Sequence, residues 1–243
     1  MYFANVNRSI GICGNDLFER FWNLPETWVE PPNQARGGTS GVICTTVNQQ
    51  TVYVKKQVGH IHRSLCHPWG RPTALRELES FGILKELGIT TPEPLYCESR
   101  RVAGKWHTLL ATRALVGYFP ISDLPQREAA LSADQRREII RAVAGTLAKL
   151  HRARLQHSAL YPTHIFVRPG RDGVAVALLD LEKLRRRLTV VRASRHDIQQ
   201  FLRREHCWDA AGVELFLQDY RQALAGGAAE PTACSDNLDH PTE

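Results

Sequence analysis

Strand patterning dominates this chain up to residue 112 and helical patterning takes over from 113 to 225, so the sequence has to build two unlike halves. In the first, Val42-Ile43-Cys44-Thr45-Thr46-Val47 and Thr51-Val52-Tyr53-Val54-Lys55 are β-branched and aromatic runs joined by the turn Asn48-Gln49-Gln50. Pro72 can open a helix whose Leu75, Leu78, Phe81, Leu84 and Leu87 form an apolar side until Gly88 closes it. Ile89 to Cys97 and Trp106 to Arg113 read as further strands, with Gly104 in the turn between them. The order is β-β-α-β-β. Ahead of it, Asn15 to Asn23 is short and amphipathic, and Pro25 to Asn33 reads as a proline-punctuated connector.

In the second half, Ser132-Ala133-Asp134-Gln135 has the form of a capping box, and Ile139, Val143, Leu147 and Leu150 follow at helical spacing up to His151. Ile165-Phe166-Val167 and Val174 to Asp180 read as two short strands around the turn Pro169 to Gly173, and His196 to Glu205 and Asp209 to Leu224 as amphipathic helices. From residue 226 to 243 the Gly, Ala, Pro and polar content predicts a disordered tail. The expected fold class is α+β with two lobes: a preamble and β-rich lobe over 1–112, and a helical lobe over 113–225.

A chain of 243 residues suits one large domain or two lobes sharing a cleft. No stretch approaches the ~20 uninterrupted apolar residues of a spanning helix, and no basic head with an apolar run opens the sequence. The expectation is a soluble, cytoplasmic protein. Six cysteines without a C-x-x-C pair read as reduced thiols in packing roles. The balance of 31 − 25 = +6 favours anionic partners. Nucleic acid is set aside, because no helix-turn-helix, finger or aromatic stacking pattern accompanies the charge.

Several residues carry chemistry. Gly37, Gly38 and Gly41, with the hydroxyls of Thr39 and Ser40, could let backbone N–H groups approach phosphate, or simply turn a hairpin. Lys55 ends its strand where it could project into a cleft or into solvent. Glu77 on the following helix is a candidate carboxylate partner, with Glu79 its competitor. Then come the loop His157 to His164 and, after the apolar run Ala177-Leu178-Leu179, Asp180. Each has a bland reading of its own. Their order is more informative: glycine turn, strand lysine, helix glutamate, long helix ending Leu-His, histidine-led loop, strand ending in Asp. That is the running order of a protein-kinase-like fold.

The chain resembles the lipopolysaccharide kinase (Kdo/WaaP) family, and within it the InaA-like branch. The resemblance is carried by Trp28 to Asn33, Arg36 to Val42, Val52 to Lys55, Cys66 to Thr73 with Arg76-Glu77, Gly88 to Pro94, His157 to Val167, and Leu179 to Lys183 with Arg185 to Arg187. It implies ATP as cofactor, with Gly37, Gly38 and Gly41 over the phosphates and Lys55 on the α/β-phosphates, paired with Glu77. It implies Mg²⁺ on Asp180, with His164 at the second metal position. The interlobe hinge would be Thr112 to Gly117, and Asp197 would buttress the catalytic loop. The implied acceptor is a hydroxyl of a phosphorylated glycan or lipopolysaccharide-core sugar at the cytoplasmic face of the inner membrane. Ala159 stands where the family pattern has the proton-accepting Asp. His157 could substitute as base or could be a structural loop residue, and a nucleotide-binding pseudokinase with a scaffold or stress-response role is the alternative function.

Two basic segments accompany this set. His60, His62, Cys66 and His67 match no closed zinc arrangement. With Arg63, Trp69 and Arg71 they form instead a loop suited to a phosphorylated glycolipid or an anionic membrane surface. Lys183, Arg185, Arg186 and Arg187 follow Asp180 where an acceptor could bind, or where a charged face is merely solvated.

Overall fold

A computed structural model describes residues 17–25, 27–35, 37–64, 67–204 and 206–226. The expected tail beyond 226 lies outside the described residues, as do Asn15 and three of the cysteines, Cys13, Cys66 and Cys234. Cys44, Cys97 and Cys207 are not in disulfides.

Helix α1 (Leu17–Trp22) buries Phe18 and Phe21 against the first sheet. Lys56 Nζ donates to the Trp22 and Leu24 carbonyls at 2.7 and 3.3 Å, placing a cation at the helix's negative end. The sheet comprises β1 (Trp28–Ala35), β2 (Gly38–Val47), β3 (Gln50–Val58), β6 (Pro94–Val102) and β7 (Lys105–Arg113). It is antiparallel throughout, in the order β1-β2-β3-β7-β6. Asn48-Gln49 and Ala103-Gly104 turn two hairpins with positive φ at both residues, the geometry that matches strand twist. Between β3 and β6 lie the hairpin β4 (Ile61–Ser64) and β5 (His67–Pro72), then helix α2 (Thr73–Glu86). The α2 C-terminus is a Schellman motif: Gly88 N–H bonds Lys85 O and Ile89 N–H bonds Leu84 O, each at 2.9 Å.

The second half is built on α3 (Ala133–Arg152), whose capping box forms with Ser132 and Gln135 as the pattern predicts. Ile139, Val143, Leu147 and Leu150 on α3 meet Phe201 of α4 (Val190–Arg204) and Phe216 of α5 (Ala210–Ala225) in one core. Three further short strands complete this half, alongside the hairpin β10 (Ile165–Gly170) and β11 (Gly173–Leu178): β8 (Phe119–Pro120), β9 (Leu155–Gln156) and β12 (Arg185–Arg186). β8 pairs with β10, and β12 with β9. A parallel bridge between Thr90 and Ala177 joins the halves, with Leu178 N–H on Thr90 O at 3.0 Å. Among the described residues no helix is long and apolar enough to cross a membrane.

Three elements differ from expectation. Pro25 to Asn33 is not a plain connector: Trp28–Ala35 is the edge strand β1, where Pro31 and Pro32 cost no internal ladder bond and register shifts absorb them. The strand expected from Ile89 starts at Pro94, because Thr90 pairs with Ala177 instead. Helix α4 begins at Val190 rather than His196: Thr189 Oγ1 accepts the Arg192 N–H and its carbonyl the Ala193 N–H, an N-terminus hidden from pattern reading by Val190 and Val191.

Candidate active site

Strand β3 alternates, with Val52, Val54 and Lys56 turned into the α1-side core and Lys55 and Gln57 onto the opposite face, toward α2. There Lys55 Nζ donates to Glu77 Oε2 at 2.6 Å, with side chains only 17% and 6% exposed. Glu79, two residues on and so on the other side of the helix, pairs with Arg71 at 2.7 Å, so the structure selects Glu77. Burial alone would push Lys55 down. Glu77, Asp180 and Glu182 outweigh it and hold the ammonium above its ordinary range. Burial, together with Asp180 and Glu182, pushes Glu77 up against the pull of Lys55. The cluster therefore sets three carboxylates against one lysine, an excess of negative charge that a cation would offset.

Helix α2 is fixed at both ends of Glu77. Gln57 Oε1 accepts the Ala74 N–H at 3.1 Å, satisfying an otherwise open helix N-terminus. Gln57 Nε2 lies 3.0 Å from Thr73 Oγ1, which is 2.7 Å from His60 Nδ1. Further along, Ser80 Oγ donates to Leu181 O at 3.1 Å and Arg76 Nη2 to Leu184 O at 2.7 Å. These bonds tie Glu77 to the segment carrying Asp180.

The loop after α3 hangs on one fully buried carboxylate. Asp197 on α4 accepts the N–H of His157 at 2.6 Å and of Ser158 at 2.9 Å, and lies 3.2 Å from His151 Nε2. His151 Nδ1 lies 2.7 Å from the Tyr220 hydroxyl on α5. Burial would raise the Asp197 pKa, but His151 and the two backbone donors hold the carboxyl below its usual range. Ser158 is forced to φ 69, a left-handed backbone that this over-determined bonding maintains.

His157 is fully buried, and its ring nitrogens are engaged. Nε2–H donates to Leu179 O at 2.9 Å, and Nδ1 accepts the Ala159 N–H at 3.3 Å. Burial pushes the imidazole down to about 4, so it is neutral near pH 7. Ala159 is fully buried and offers its carbonyl to His164 Nδ1–H at 2.8 Å. That bond fixes the His164 tautomer with its lone pair on Nε2. His164 Nδ1 lies 3.7 Å from Asp180 Oδ2. Asp180 itself is left-handed, φ 55, two residues past the end of β11, and opens a 3₁₀ turn over Leu181–Lys183. Burial opposes its ionisation, but Lys55, His164, His157 and Lys183 hold the carboxyl below its ordinary value.

Lys55, Glu77, His157, His164 and Asp180 thus come together. The glycine segment is differently made: Gly37 turns the β1–β2 hairpin at φ 76, while Thr39, Ser40 and Gly41 lie within β2. A Cβ at Gly38 would lie 2.3 Å from Val58 O, and one at Gly41 2.7 Å from the Trp28 ring, so close packing requires glycine at both positions. Sequence reasoning missed Glu182, buried beside Lys55, and Gln57. Glu182 could have been found from its position two residues after Asp180, whereas nothing local marks Gln57 as the cap of a helix sixteen residues away.

The model of the lipopolysaccharide kinase (Kdo/WaaP) family matches residues 19–220. Protein InaA of Escherichia coli (strain K12) is 36% identical over 187 residues, covering 76% of this chain and 86% of that protein. Among solved structures, WaaP in complex with acyl carrier protein superposes with a TM-score of 0.60 at 20% identity, over 85% of this chain and 87% of that one. The last is a likeness of fold, and it agrees with the two-lobed kinase-like architecture.

Proposed function

The chain belongs to the lipopolysaccharide kinase (Kdo/WaaP) family, which supports a kinase-type function, and from that premise we propose an ATP- and Mg²⁺-dependent phosphotransferase acting on a hydroxyl of a phosphorylated glycan or lipopolysaccharide-core sugar. The observation that carries the reading is the Lys55–Glu77 ion pair at 2.6 Å, held beside Asp180 by α2. Lys55 binds the α/β-phosphates and Glu77 keeps it extended into the cleft. The turn at Gly37 covers the phosphates, with Gly38, Thr39, Ser40 and Gly41 as its strand, and Thr112 to Gly117 forms the hinge beside adenine between lobes 1–112 and 113–225. The donor set suits Mg²⁺, which is commonly held by one or two carboxylates together with substrate phosphates and water. Asp180 would supply the carboxylate, and His164 Nε2 would offer a softer lone pair, better placed to accept from a water of the ion's shell. When bound, the ion neutralises charge on the phosphates.

In the reaction the bond from the γ-phosphorus to the β–γ bridging oxygen breaks, that oxygen leaving with ADP, a bond to the acceptor oxygen forms, and the hydroxyl proton passes to solvent water. Phosphoryl transfer depends mainly on positioning and electrostatics, with a loose transition state. A missing general base costs roughly 10²–10⁴-fold and does not by itself forbid turnover. Transfer takes place at the cytoplasmic face of the inner membrane, where the protein is peripheral.

Ala159, together with the engaged ring of His157, favours a second reading, a nucleotide-binding pseudokinase with a scaffold or stress-response role. One experiment separates the two: incubate wild type and Asp180→Ala with Mg·ATP, with and without lipopolysaccharide core, and follow phosphate transfer and melting together. Transfer that depends on Asp180 supports the kinase. A nucleotide-induced melting shift without transfer supports the pseudokinase, and neither transfer nor shift overturns both.

A further inference from the structure

The turn after α3, β12 with the segment that follows it, and the start of α4 form an open surface cavity of about 440 Å³ lined by Arg154, Arg186, Arg187, Leu188 and Arg192, of which only Arg187 is half-buried. Its size is that of a small-molecule site, yet four of its five lining residues are arginines. Among the described residues none of the four has an Asp or Glu within ion-pair distance. Like charges gathered without counter-ions repel, and burial with the neighbouring Arg187 guanidinium already pushes Arg185 down.

Two backbone features point the same way. Arg154 is the first residue past the C-cap of α3 and adopts φ 58, a position that usually carries glycine. An arginine there bears backbone strain, and its carbonyl accepts the Arg187 N–H at 2.7 Å, which binds the two sides of the cavity together. Arg192 and Leu188 flank the N-terminus of α4, a fifteen-residue helix whose dipole adds positive potential. The cavity also adjoins the catalytic loop: Arg187 Nε donates to Gln156 Oε1, and Arg185 Nε to Ser158 Oγ at 3.0 Å, next to Ala159.

We propose that this cavity is a second anion site, separate from the nucleotide cleft, that seats a phosphate monoester of the acceptor beside the catalytic loop. Guanidinium forks match the oxygens of phosphate bidentately, and a dianion offsets more of this charge than a diester does. The space beyond one phosphate leaves room for a sugar ring. Leu188 and Val191, 76% and 69% exposed, flank the mouth with apolar surface, so the monoester could be presented by a lipid headgroup or by a soluble sugar phosphate. That the bound group belongs to the acceptor rests on the phosphotransferase reading; the anion site itself does not.

The test is melting of the full chain with inorganic phosphate, for wild type, Arg186→Gln/Arg192→Gln, Lys55→Met, and the charge-matched control Arg171→Gln/Arg221→Gln. At a hundredfold excess over Kd, phosphate should raise the wild-type Tm by roughly 5–10 °C. The shift should persist in Lys55→Met and in the control, and vanish in Arg186→Gln/Arg192→Gln, which should still respond to Mg·ATP. No shift in wild type, a shift that survives Arg186→Gln/Arg192→Gln, or one lost in Lys55→Met overturns the site. Loss of the Mg·ATP response in every protein, with the phosphate pattern intact, instead counts against the kinase reading alone. Glucose 6-phosphate and vesicles of phosphatidic acid then separate the sources, and each one bound supports the monoester site. Phosphatidylglycerol vesicles bound as tightly as phosphatidic acid ones overturn its monoester preference.

Discussion

The backbone N–H of His157 donates to the Asp197 carboxylate at 2.6 Å, and the Ser158 N–H donates to its other oxygen at 2.9 Å. One buried side chain thus holds two consecutive loop amides in a conformation that includes a left-handed serine. Asp197→Asn keeps the volume but turns an NH₂ toward one of these donors. Loss of a partner from a buried, charged network costs about 3–5 kcal/mol, which for a chain of this size lowers Tm by roughly 6–20 °C. Calorimetry on Asp197→Asn checks this, and a change within 2 °C would remove the loop's dependence on this carboxylate.

Lys55 neutralises one of three neighbouring carboxylates, so its removal does more than delete the proposed nucleotide contact. In Lys55→Met, Glu77 loses the cation that opposes its burial, and its folded pKa, already raised, rises further above the unfolded one. A folded state that binds the extra protons loses stability as pH rises. Lys55→Met should therefore melt below wild type by a larger margin at pH 8 than at pH 5, and the Mg·ATP-induced shift should disappear at both. A uniform deficit across pH would mean that the carboxylates do not interact through this site.

His157 titrates at about 4 in the folded protein, against 6.5 for an ordinary histidine. Between those values the unfolded chain binds a proton that the folded one refuses, so its contribution is complete above pH 6.5 and lost as pH falls toward 4. The difference amounts to about 3 kcal/mol. His157→Gln keeps an N–H able to reach the Leu179 carbonyl and has no such titration. Stability plotted against pH should be flatter for His157→Gln across this window, and parallel curves would argue that His157 is protonated in the fold.

Much of this site was legible because its chemistry sits on short local patterns. The strand bearing Lys55, which runs on to Val58 rather than ending at the lysine, the helix bearing Glu77 and the apolar run before Asp180 are each set by a few residues and their period. What was not legible depends on partners distant in sequence. Glu77 rather than Glu79 faces Lys55 because Gln57 and Ser80 set the rotation of α2, and the orientation of the His157 ring depends on the Leu179 carbonyl twenty-two residues away. Likewise Trp28–Ala35 becomes a strand despite two prolines because it lies at the sheet's edge, which is a property of the assembled sheet.

Ala159 offers the most direct probe of catalysis. Its side chain is fully buried, while its carbonyl accepts His164 Nδ1–H and the Tyr161 N–H. Ala159→Asp puts a carboxylate where the family pattern has one, but into space closed around a methyl group and near Asp180. Burying the uncharged carboxyl costs about 1–3 kcal/mol and its ionised form more, so Tm should fall by at least roughly 2–12 °C. If wild type transfers phosphate without a base, the added carboxylate should raise the rate by up to about 10²-fold, the lower end of general-base assistance. A lower Tm with an unchanged transfer rate would show that Asp cannot reach the acceptor hydroxyl from this loop, and that the bonds of His164 and Asp197 have set it in a geometry that works without a base.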